Sequence, residues 1–219
     1  MSLEHLDFAE PFFDVKHIEN LSTHHIEGRA IVLNLSDQPI QVEAQEITYL
    51  QSNIVADITL QNVQRAVLIE RFDAHDDDAT LFEQVKQHWP SAYEVRKEER
   101  LRGVSHYMSP KVWVRNIGLT MYHSGSVPLK VGLHKFHPFC EEPGFKEVHT
   151  QIVGVGKMQQ CREQDINTLY WEETMAPGTT HRPMYDAEGN FPWHQYETIT
   201  PAIFMAVEIL PNAPQEVVA

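Results

Sequence analysis

The sequence predicts a mainly β protein, and three features of the chain indicate this class. Short apolar runs such as Ala30-Ile31-Val32-Leu33-Asn34-Leu35 accompany alternating runs such as Ile40-Gln41-Val42-Glu43-Ala44, and both patterns are typical of strands. Turn-forming residues separate them, as in Ser36-Asp37-Gln38-Pro39. Successive strand-like runs are spaced by roughly 8 to 15 residues, which is typical of an antiparallel sandwich or barrel.

The first half of the chain divides into an arm and a β region. Residues 1–28 are mixed and weakly periodic, and we expect an arm that packs on the body of the protein or on a second subunit. Residues 29–110 form an N-terminal β region, which either extends the sheets of the second half or forms a second, site-less barrel.

Two short helices are predicted near the end of this β region. The first covers about 78–89, because acidic residues open it, Pro90 ends it, and its apolar residues follow a 3.6-residue period. Those apolar residues are Leu81, Phe82, Val85 and Trp89. A second helix is expected after Ser91, and we interpret the charge run from Arg96 to Arg100 as its solvated face.

Residues 111–212 return to strands, and residues 213–219 are predicted to be a tail. Strand-like runs begin at Val112, Leu119, Leu129, Val148, Thr168 and Ile203. The N-terminal strands carry no copy of the histidines found in this second half, so we expect the functional site in residues 111–212.

Composition excludes several classes of partner. The 219 residues carry 17 basic and 31 acidic side chains, a formal charge of −14, and such a field opposes binding to nucleic acids and anionic membranes. No apolar run approaches the roughly 20 residues of a membrane span. Two cysteines, Cys140 and Cys161, are too few for a disulfide framework. We therefore expect a cytoplasmic protein with unpaired thiols.

One region of the second half combines the side chains that bind first-row metals. Four histidines, His134, His137, His149 and His181, occur with Glu147 and a Pro177-Gly178 turn. On a strand, residues two apart share a face, so Glu147, His149 and Gln151 point the same way. Three polar side chains on one face of an apolar strand are costly unless they serve a site or are fully hydrogen-bonded.

Two segments of this region resemble the two motifs of the cupin superfamily. Glu147-Val148-His149-Thr150-Gln151-Ile152-Val153-Gly154-Val155-Gly156 is similar to the first motif, in which a metal-binding glutamate opens a strand that ends in an apolar pair and a glycine turn. Met175-Ala176-Pro177-Gly178-Thr179-Thr180-His181 resembles the second, in which a Pro/Gly turn precedes the last metal-binding histidine. The resemblance implies a jelly-roll barrel, or double-stranded β-helix, with an N-terminal β extension.

The resemblance also implies a ligand set for one divalent ion, which could be Zn, Mn, Fe or Ni. Glu147 and His181 take the carboxylate and second-motif positions. The family places two histidines one residue apart ahead of the glutamate, whereas His134 and His137 are three apart and share a strand face only across a bulge. We expect His137 as one ligand, with His134 as its alternative, and His149 as the remaining nitrogen. A second departure is Tyr185, which stands where the family has asparagine.

Other polar residues are candidates for substrate contacts. Glu172 is the candidate general base if its strand face points inward, and the alternative is an exposed carboxylate. The predicted substrate-binding residues are Gln151, Lys157, Tyr170, Arg182, Tyr185, His194 and Gln195. The aromatic segment that contains Trp193 and Tyr196 is expected to form a pocket wall or part of the core.

These expectations describe a metal-dependent enzyme that acts on a small, oxygen-rich substrate. The mixed His/Glu ligand set that the resemblance implies favours a sugar or sugar-acid isomerase or epimerase, in which the metal is a Lewis acid. A cupin-type iron dioxygenase and a non-catalytic small-ligand-binding cupin are the alternatives, because a fold alone fixes no chemistry. Dimers are common among cupins, and the N-terminal arm leads us to expect a homodimer.

Overall fold

The structure confirms a mainly β protein whose strands pair in antiparallel sheets. This computed structural model describes residues 2–75, 80–137, 139, 143–184 and 191–211. The strands are β1 (Ser2–Leu6), β2 (Asp14–Asn34), β3 (Ile40–Val42), β4 (Gln45–Ile47), β5 (Ser52–Glu70), β6 (His106–Met108), β7 (Val112–Val114), β8 (Ile117–Ser124), β9 (Lys146–Val153), β10 (Gly156–Cys161), β11 (Leu169–Met175), β12 (Trp193–Thr198) and β13 (Ala202–Ile209).

Two α-helices connect the halves of the chain, close to where the sequence predicts them. Helix α1 is Leu81–His88 and helix α2 is Ala92–Arg96, with Ser91 accepting a hydrogen bond from the Tyr93 backbone at the start of α2. Short 3₁₀ turns occur at Asp7–Ala9, Phe72–His75, Glu99–Leu101 and Ile166–Thr168. The predicted acidic start of the first helix, residues 76–78, lies outside the described residues. No described helix has the length and apolar character that crossing a bilayer requires.

The strands form three layers. The first sheet has the order β1-β2-β5-β3-β4, the second β6-β8-β13-β9 with β7 also paired to β8, and the third β11-β10-β12. Residues 2–6 and 14–28, within the predicted arm, are strands of the first sheet. The domain boundaries that we drew from the sequence stay a prediction.

The second sheet is buried on both faces, and strand alternation decides what each face contacts. Leu119 and Met121 of β8, with Val148 of β9, pack into the apolar core shared with the first sheet. Tyr122 of β8 and Phe204 of β13 point the other way, into a smaller core beneath the third sheet. The interior between the second and third sheets is therefore the place where an enclosed site can form.

The first sheet also encloses a core of its own. Long strands β2 and β5 pair over most of their length, and their ends pair a second time, so that Ala30 lies opposite both Val55 and Glu70. The resulting apolar cluster includes Ile26, Val32 and Leu60. This folding explains how the N-terminal β region is stable without contributing to the interior of the other two sheets.

The Pro-Gly segment adds a further strand-like piece to the second sheet. Gly178 N–H donates to the Gln151 carbonyl over 2.9 Å, and His181 N–H donates to the His149 carbonyl over 3.2 Å. Ser52 of the first sheet donates its hydroxyl to the Gly178 carbonyl over 2.8 Å. The segment thus joins the N-terminal β region to the strand that carries Glu147 and His149.

Gly178→Ala is expected to destabilise the protein by about 1–3 kcal/mol more than Gly103→Ala. Both glycines have left-handed backbones, with φ of +82° and +72°, so each substitution carries a similar backbone cost of about 1–2 kcal/mol. A Cβ at Gly178 would lie 2.5 Å from Ile54 Cγ1, whereas one at Gly103 meets nothing within 4 Å. Urea unfolding of both variants tests this, and equal losses would contradict the contact.

Candidate metal centre

A group of histidines and one glutamate meet in a cavity between the second and third sheets. The cavity has a volume of about 50 Å³, and its walls include His134, His137, Glu147, His149 and His194. His149 and Glu147 come from β9 and His194 from β12. His134 pairs directly with His194, and His137 lies three residues further along the chain. Three of the four predicted metal ligands, His137, Glu147 and His149, are therefore brought together.

Glu147 is a buried carboxylate between two imidazoles. Its Oε1 lies 3.1 Å from His149 Nε2, and its Oε2 lies 3.0 Å from His137 Nδ1. Burial alone would raise the pKa of Glu147, but the adjacent His137 and His149 rings hold it well below its usual value. Within the described residues, Oε2 makes no aligned hydrogen bond, so it keeps a lone pair in a buried position.

The backbone anchors two histidines in a defined tautomer. His134 Nδ1 lies 2.9 Å from the Gly132 carbonyl, and His194 Nδ1 lies 3.0 Å from the Pro192 carbonyl. A carbonyl only accepts hydrogen bonds, so both rings donate from Nδ1. Burial, followed by neighbouring rings and Arg100, lowers the pKa of His134, and burial with His137 lowers that of His194 to about 3. Both rings are neutral at pH 7, and each Nε2 carries a free lone pair.

His137 completes a set of three such rings. Its Nδ1 faces the ionised Glu147, which only accepts, so a proton on Nδ1 would be held there while Nε2 faces the other way. This Nε2 lies 2.8 Å from His194 Nε2. Two lone pairs at that distance repel each other unless a cation or a proton lies between them or beside them. The arrangement is that of imidazole ligands whose opposite N–H groups are held by oxygen acceptors, as in protein metal sites.

The three histidines are close enough to share one ion. One ring nitrogen from each of His134, His137 and His194 lies within 4.8 Å of the others. Two nitrogens that are each about 2.1 Å from a common ion are at most about 4.2 Å apart, so a small movement of the rings would let all three bind it. The lone pair of Glu147 Oε2 lies beside His137. The donor set therefore fits a divalent metal, with Glu147 either as a fourth ligand or as the acceptor that orients His137.

His181 occupies a different position from the one expected. Its Nε2 lies 2.9 Å from the His149 backbone N–H, and its Nδ1 lies 2.6 Å from the Arg182 carbonyl. Both nitrogens are thus used by the backbone, and His181 does not line the cavity. In this arrangement it offers no lone pair to a metal, because the ring instead fixes the start of the Pro-Gly segment against β9.

Glu172 lies on the outer face of the third sheet. It pairs with Gln159 on β10, and its Oε2 accepts from Gln159 Nε2 over 2.8 Å. That hydrogen bond and Lys157 lower the pKa of Glu172. Strand alternation explains the placement, because Met158, next to Gln159, points into the inner core. Glu172 was the candidate general base only if its strand face pointed inward, and in the structure this face points outward.

One of the predicted substrate-binding residues lies in the cavity, and the others that the structure describes lie elsewhere. His194 lines the cavity, as part of the three-histidine set. Gln151 and Gln195 are buried in hydrogen bonds with Tyr196 and Gln159, at 2.9 and 2.8 Å. Lys157 contacts Glu172 on the outer face.

Tyr170 and Arg182 do not line the cavity. Tyr170 donates its hydroxyl to Gln160 over 3.0 Å, and Arg182 lies over the Trp171 ring at 4.1 Å. Tyr185 lies outside the described residues, as does Cys140. Cys161 is buried as a free thiol.

Sequence reasoning missed two groups of cavity residues. His134 was only the alternative ligand, and His194 was assigned to the substrate, because β12 was not identified as a strand whose inner face carries His194 and Tyr196. The run from Arg96 to Arg100 was interpreted as a solvated face, yet Arg96 and Arg100 line the cavity. Helical spacing could not reveal this, because helix α2 ends at Arg96 and Arg100 lies in the separate turn Glu99–Leu101.

Purified protein is expected to hold about one equivalent of divalent metal, and His137→Ala and His194→Ala are each expected to lose it. Glu147→Gln should weaken metal binding about 10–100-fold, because it alters the group that orients His137. Elemental analysis and titration with Zn²⁺ measure both effects. His5→Ala, at a side chain that is 66% exposed, is the control. Retention of metal by both alanine variants would contradict the assignment.

The metal-free protein is expected to lose stability as the pH falls below about 6.5. Burial lowers the pKa of His106 and of His181 to about 3, from about 6.5 in an unfolded chain. Between these values the unfolded chain binds more protons than the folded chain, so each histidine removes about 1.4 kcal/mol per pH unit. Urea unfolding at pH 7, 6 and 5 tests this. His106→Gln should give a shallower slope, and parallel slopes would refute the assignment.

Comparisons with known proteins give a likeness in solved structures alone. No family model matches the chain, and no curated protein does. A sugar phosphate isomerase of the cupin superfamily from Silicibacter pomeroyi is 18% identical, with a TM-score of 0.33 over 48% of this chain and 59% of that one. A cupin-2 domain protein from Rhodospirillum rubrum is 12% identical, with a TM-score of 0.33 over 51% and 66%.

A third structure, KdgF from Halomonas sp., is 8% identical, with a TM-score of 0.34 over 51% of this chain and 81% of that one. Each of these likenesses spans about half of this chain at a low TM-score, so the proposed function is built on the residues of this chain. The solved structures that resemble it include members of the cupin superfamily, the family whose two motifs its sequence resembles.

Proposed function

We propose that this protein is a divalent-metal enzyme that acts on a small, oxygen-rich substrate, most simply an isomerase or epimerase of a sugar acid or related hydroxy acid. One observation carries the proposal: three imidazoles, each with its Nδ1 within 3.0 Å of an oxygen atom, converge in one cavity beside a buried carboxylate. A donor set of this kind is costly to bury unless it binds a cation.

The residues that would hold the ion are His134, His137 and His194, with Glu147 Oε2 beside them. Imidazole nitrogen with carboxylate oxygen suits Zn, Fe, Ni or Mn. A bound divalent ion supplies a Lewis acid that polarises a carbonyl or hydroxyl oxygen of the substrate. The cavity of about 50 Å³ limits the reacting part of the substrate to a few heavy atoms.

His149 is the residue in this cavity that is best placed to move a proton. Its Nε2 lies 3.1 Å from Glu147 Oε1, so it donates there and leaves Nδ1 unprotonated. Nδ1 is buried without a hydrogen-bond partner among the described residues. A base oriented by a carboxylate is the arrangement that general base catalysis uses.

The chemistry of this pair accounts for the reaction class. Isomerisation and epimerisation both require removal of a proton from the carbon next to a carbonyl and its return to that carbon or to its neighbour. His149 Nδ1 accepts the proton, Glu147 stabilises the imidazolium, and the same nitrogen returns the proton. His181 supports this role, because it accepts the His149 backbone N–H and so holds that residue in place.

The alternatives predict different results. An iron dioxygenase needs open positions for oxygen and favours an apolar pocket, whereas Arg96 and Arg100 place two charged groups in this wall. A non-catalytic binding protein would use the same cavity without proton transfer.

The expected homodimer and cytoplasmic location stay predictions.

His149→Gln is expected to slow proton exchange about 10²–10⁴-fold, because it removes the general base without removing a metal ligand. The measurement is deuterium incorporation from D₂O, followed by proton NMR, in a panel of small hydroxy acids, keto acids and sugars. Metal content of the variant is determined in parallel.

Glu172→Gln is the matched control, since it removes a carboxylate on the outer face of the third sheet. It should keep most of the activity, and an equal loss in this variant would move the base to Glu172. Oxygen consumption by the iron-loaded protein would favour the dioxygenase. Binding of a panel member without exchange would favour the non-catalytic protein.

A further inference from the structure

Two arginines share the cavity with the three histidines. Arg96 ends helix α2, and Arg100 lies in the 3₁₀ turn that follows it. Their side chains are only 16% and 22% exposed, and both line the cavity wall. Partly buried guanidinium groups are uncommon unless they are paired or serve a binding site.

Both guanidinium groups are held in place by neighbours. Arg96 donates from Nε to Glu98 Oε1 and from Nη1 to the Tyr122 hydroxyl, each over 2.7 Å. Arg100 donates from Nη1 to the Val131 carbonyl over 2.8 Å, and its Nη2 pairs with Glu98. A guanidinium has five N–H donors, so these contacts orient each group and leave donors available.

The two guanidiniums share one carboxylate. Arg96 and Arg100 both pair with Glu98, so the pair carries one more positive charge than the acidic side chain that it contacts. Glu147 supplies a second carboxylate to the wall of the same cavity, where it contacts His137 and His149. A planar anion bound to the remaining guanidinium N–H donors would gain charge-assisted hydrogen bonds where the dielectric constant is low.

The backbone links the arginine pair to the candidate metal centre. Arg100 bonds to the Val131 carbonyl, and His134 bonds to the carbonyl of the next residue, Gly132. At Gly132, an added Cβ would lie 3.5 Å from Arg100 Cβ, so the chain passes close to this arginine. One short segment therefore positions a cation on one side and a candidate metal ligand two residues later.

We propose that Arg96 and Arg100 form a subsite for the carboxylate of a small hydroxy or keto acid, whose other oxygens reach the His134–His137–His194 centre. The planar guanidinium fork matches a planar carboxylate. The contact between the other oxygens of the acid and the metal centre rests on the proposed function, whereas the binding of its carboxylate by the two arginines does not. A substrate acid held at this end presents the carbon next to its carboxylate to the interior of the cavity.

The test compares lactate with lactamide, which differ only in carboxylate against amide. Isothermal titration is carried out at pH 7.5 on the metal-free and on the Zn²⁺-loaded protein. The subsite predicts at least tenfold tighter binding of lactate in both forms, because the arginines and not the metal select the charge. Equal binding of the two probes by the metal-free protein would overturn the proposal. Inorganic phosphate is a third probe, and tenfold tighter binding of phosphate than of lactate would overturn the assignment to a carboxylate.

Substitutions of the two arginines test whether these residues cause the preference for lactate over lactamide. Arg100→Gln and Arg96→Gln should each reduce the lactate preference at least fivefold, while Arg100→Lys should keep part of it because the charge remains. Arg102→Gln is the control, since Arg102 is 62% exposed, pairs with Glu99 and does not line the cavity. An unchanged preference in both Arg96→Gln and Arg100→Gln would overturn the proposal. If either fails to fold, the two wild-type titrations still decide it.

Metal content separates failure of this subsite from failure of the proposed function. A protein that prefers lactate but binds no divalent metal has the subsite without the metal centre. One that binds metal at the three histidines but treats lactate and lactamide alike has the metal centre without the subsite.

Discussion

The buried contact of Glu147 with His137 and His149 is the constraint on which the site depends. A carboxylate removed from water is stable in its ionised form only where neighbours favour the charge, and the two imidazoles supply that stabilisation. The carboxylate faces Nδ1 of His137. The opposite nitrogen of that ring is thereby directed at His194, where the donor set converges.

The layered fold makes this contact possible. β9 lies between two cores, so its even-numbered residues Val148 and Ile152 are used to pack against the N-terminal sheet. Its odd-numbered residues are free to be polar, provided that they find partners inside. Glu147 and His149 find theirs in the cavity, while Gln151 bonds to the Tyr196 hydroxyl. The N-terminal β region thus supports the site indirectly, by covering the far face of the sheet that carries it.

The cavity also gathers positive charge from a part of the chain outside the barrel strands. Arg96 and Arg100 come from the helical connection, and they are anchored by Tyr122 of β8 and by the Val131 carbonyl. The same cavity thus combines a cation pair, a donor set for a metal and an oriented imidazole. These are the groups needed to bind an acid, polarise its oxygen and move its proton, and this combination relates the two proposals to each other.

Local pattern was sufficient for much of the fold and part of the site. Alternation and turn residues identified a mainly β chain, and the 3.6-residue period located helix α1 within three residues at its start and one at its end. Period 2 placed Glu147 and His149 on one face. These features depend on neighbours in sequence, so they can be read directly. The Pro177-Gly178 turn was likewise visible, because a left-handed backbone at Gly178 favours glycine.

What only the tertiary structure decided is which side chains meet across the sheets. His194 joins the site because β12 pairs with β10 and also with the segment before His137, contacts between residues tens of positions apart. Glu172 falls outside because its strand face points away from the cavity, and His181 because the backbone uses both of its ring nitrogens. The sequence by itself determined the β class and the Glu147–His149 pair, because both follow from periodicity. The tertiary structure determined which histidines meet and that two arginines line the cavity, because long-range pairing leaves no periodic signal in the chain.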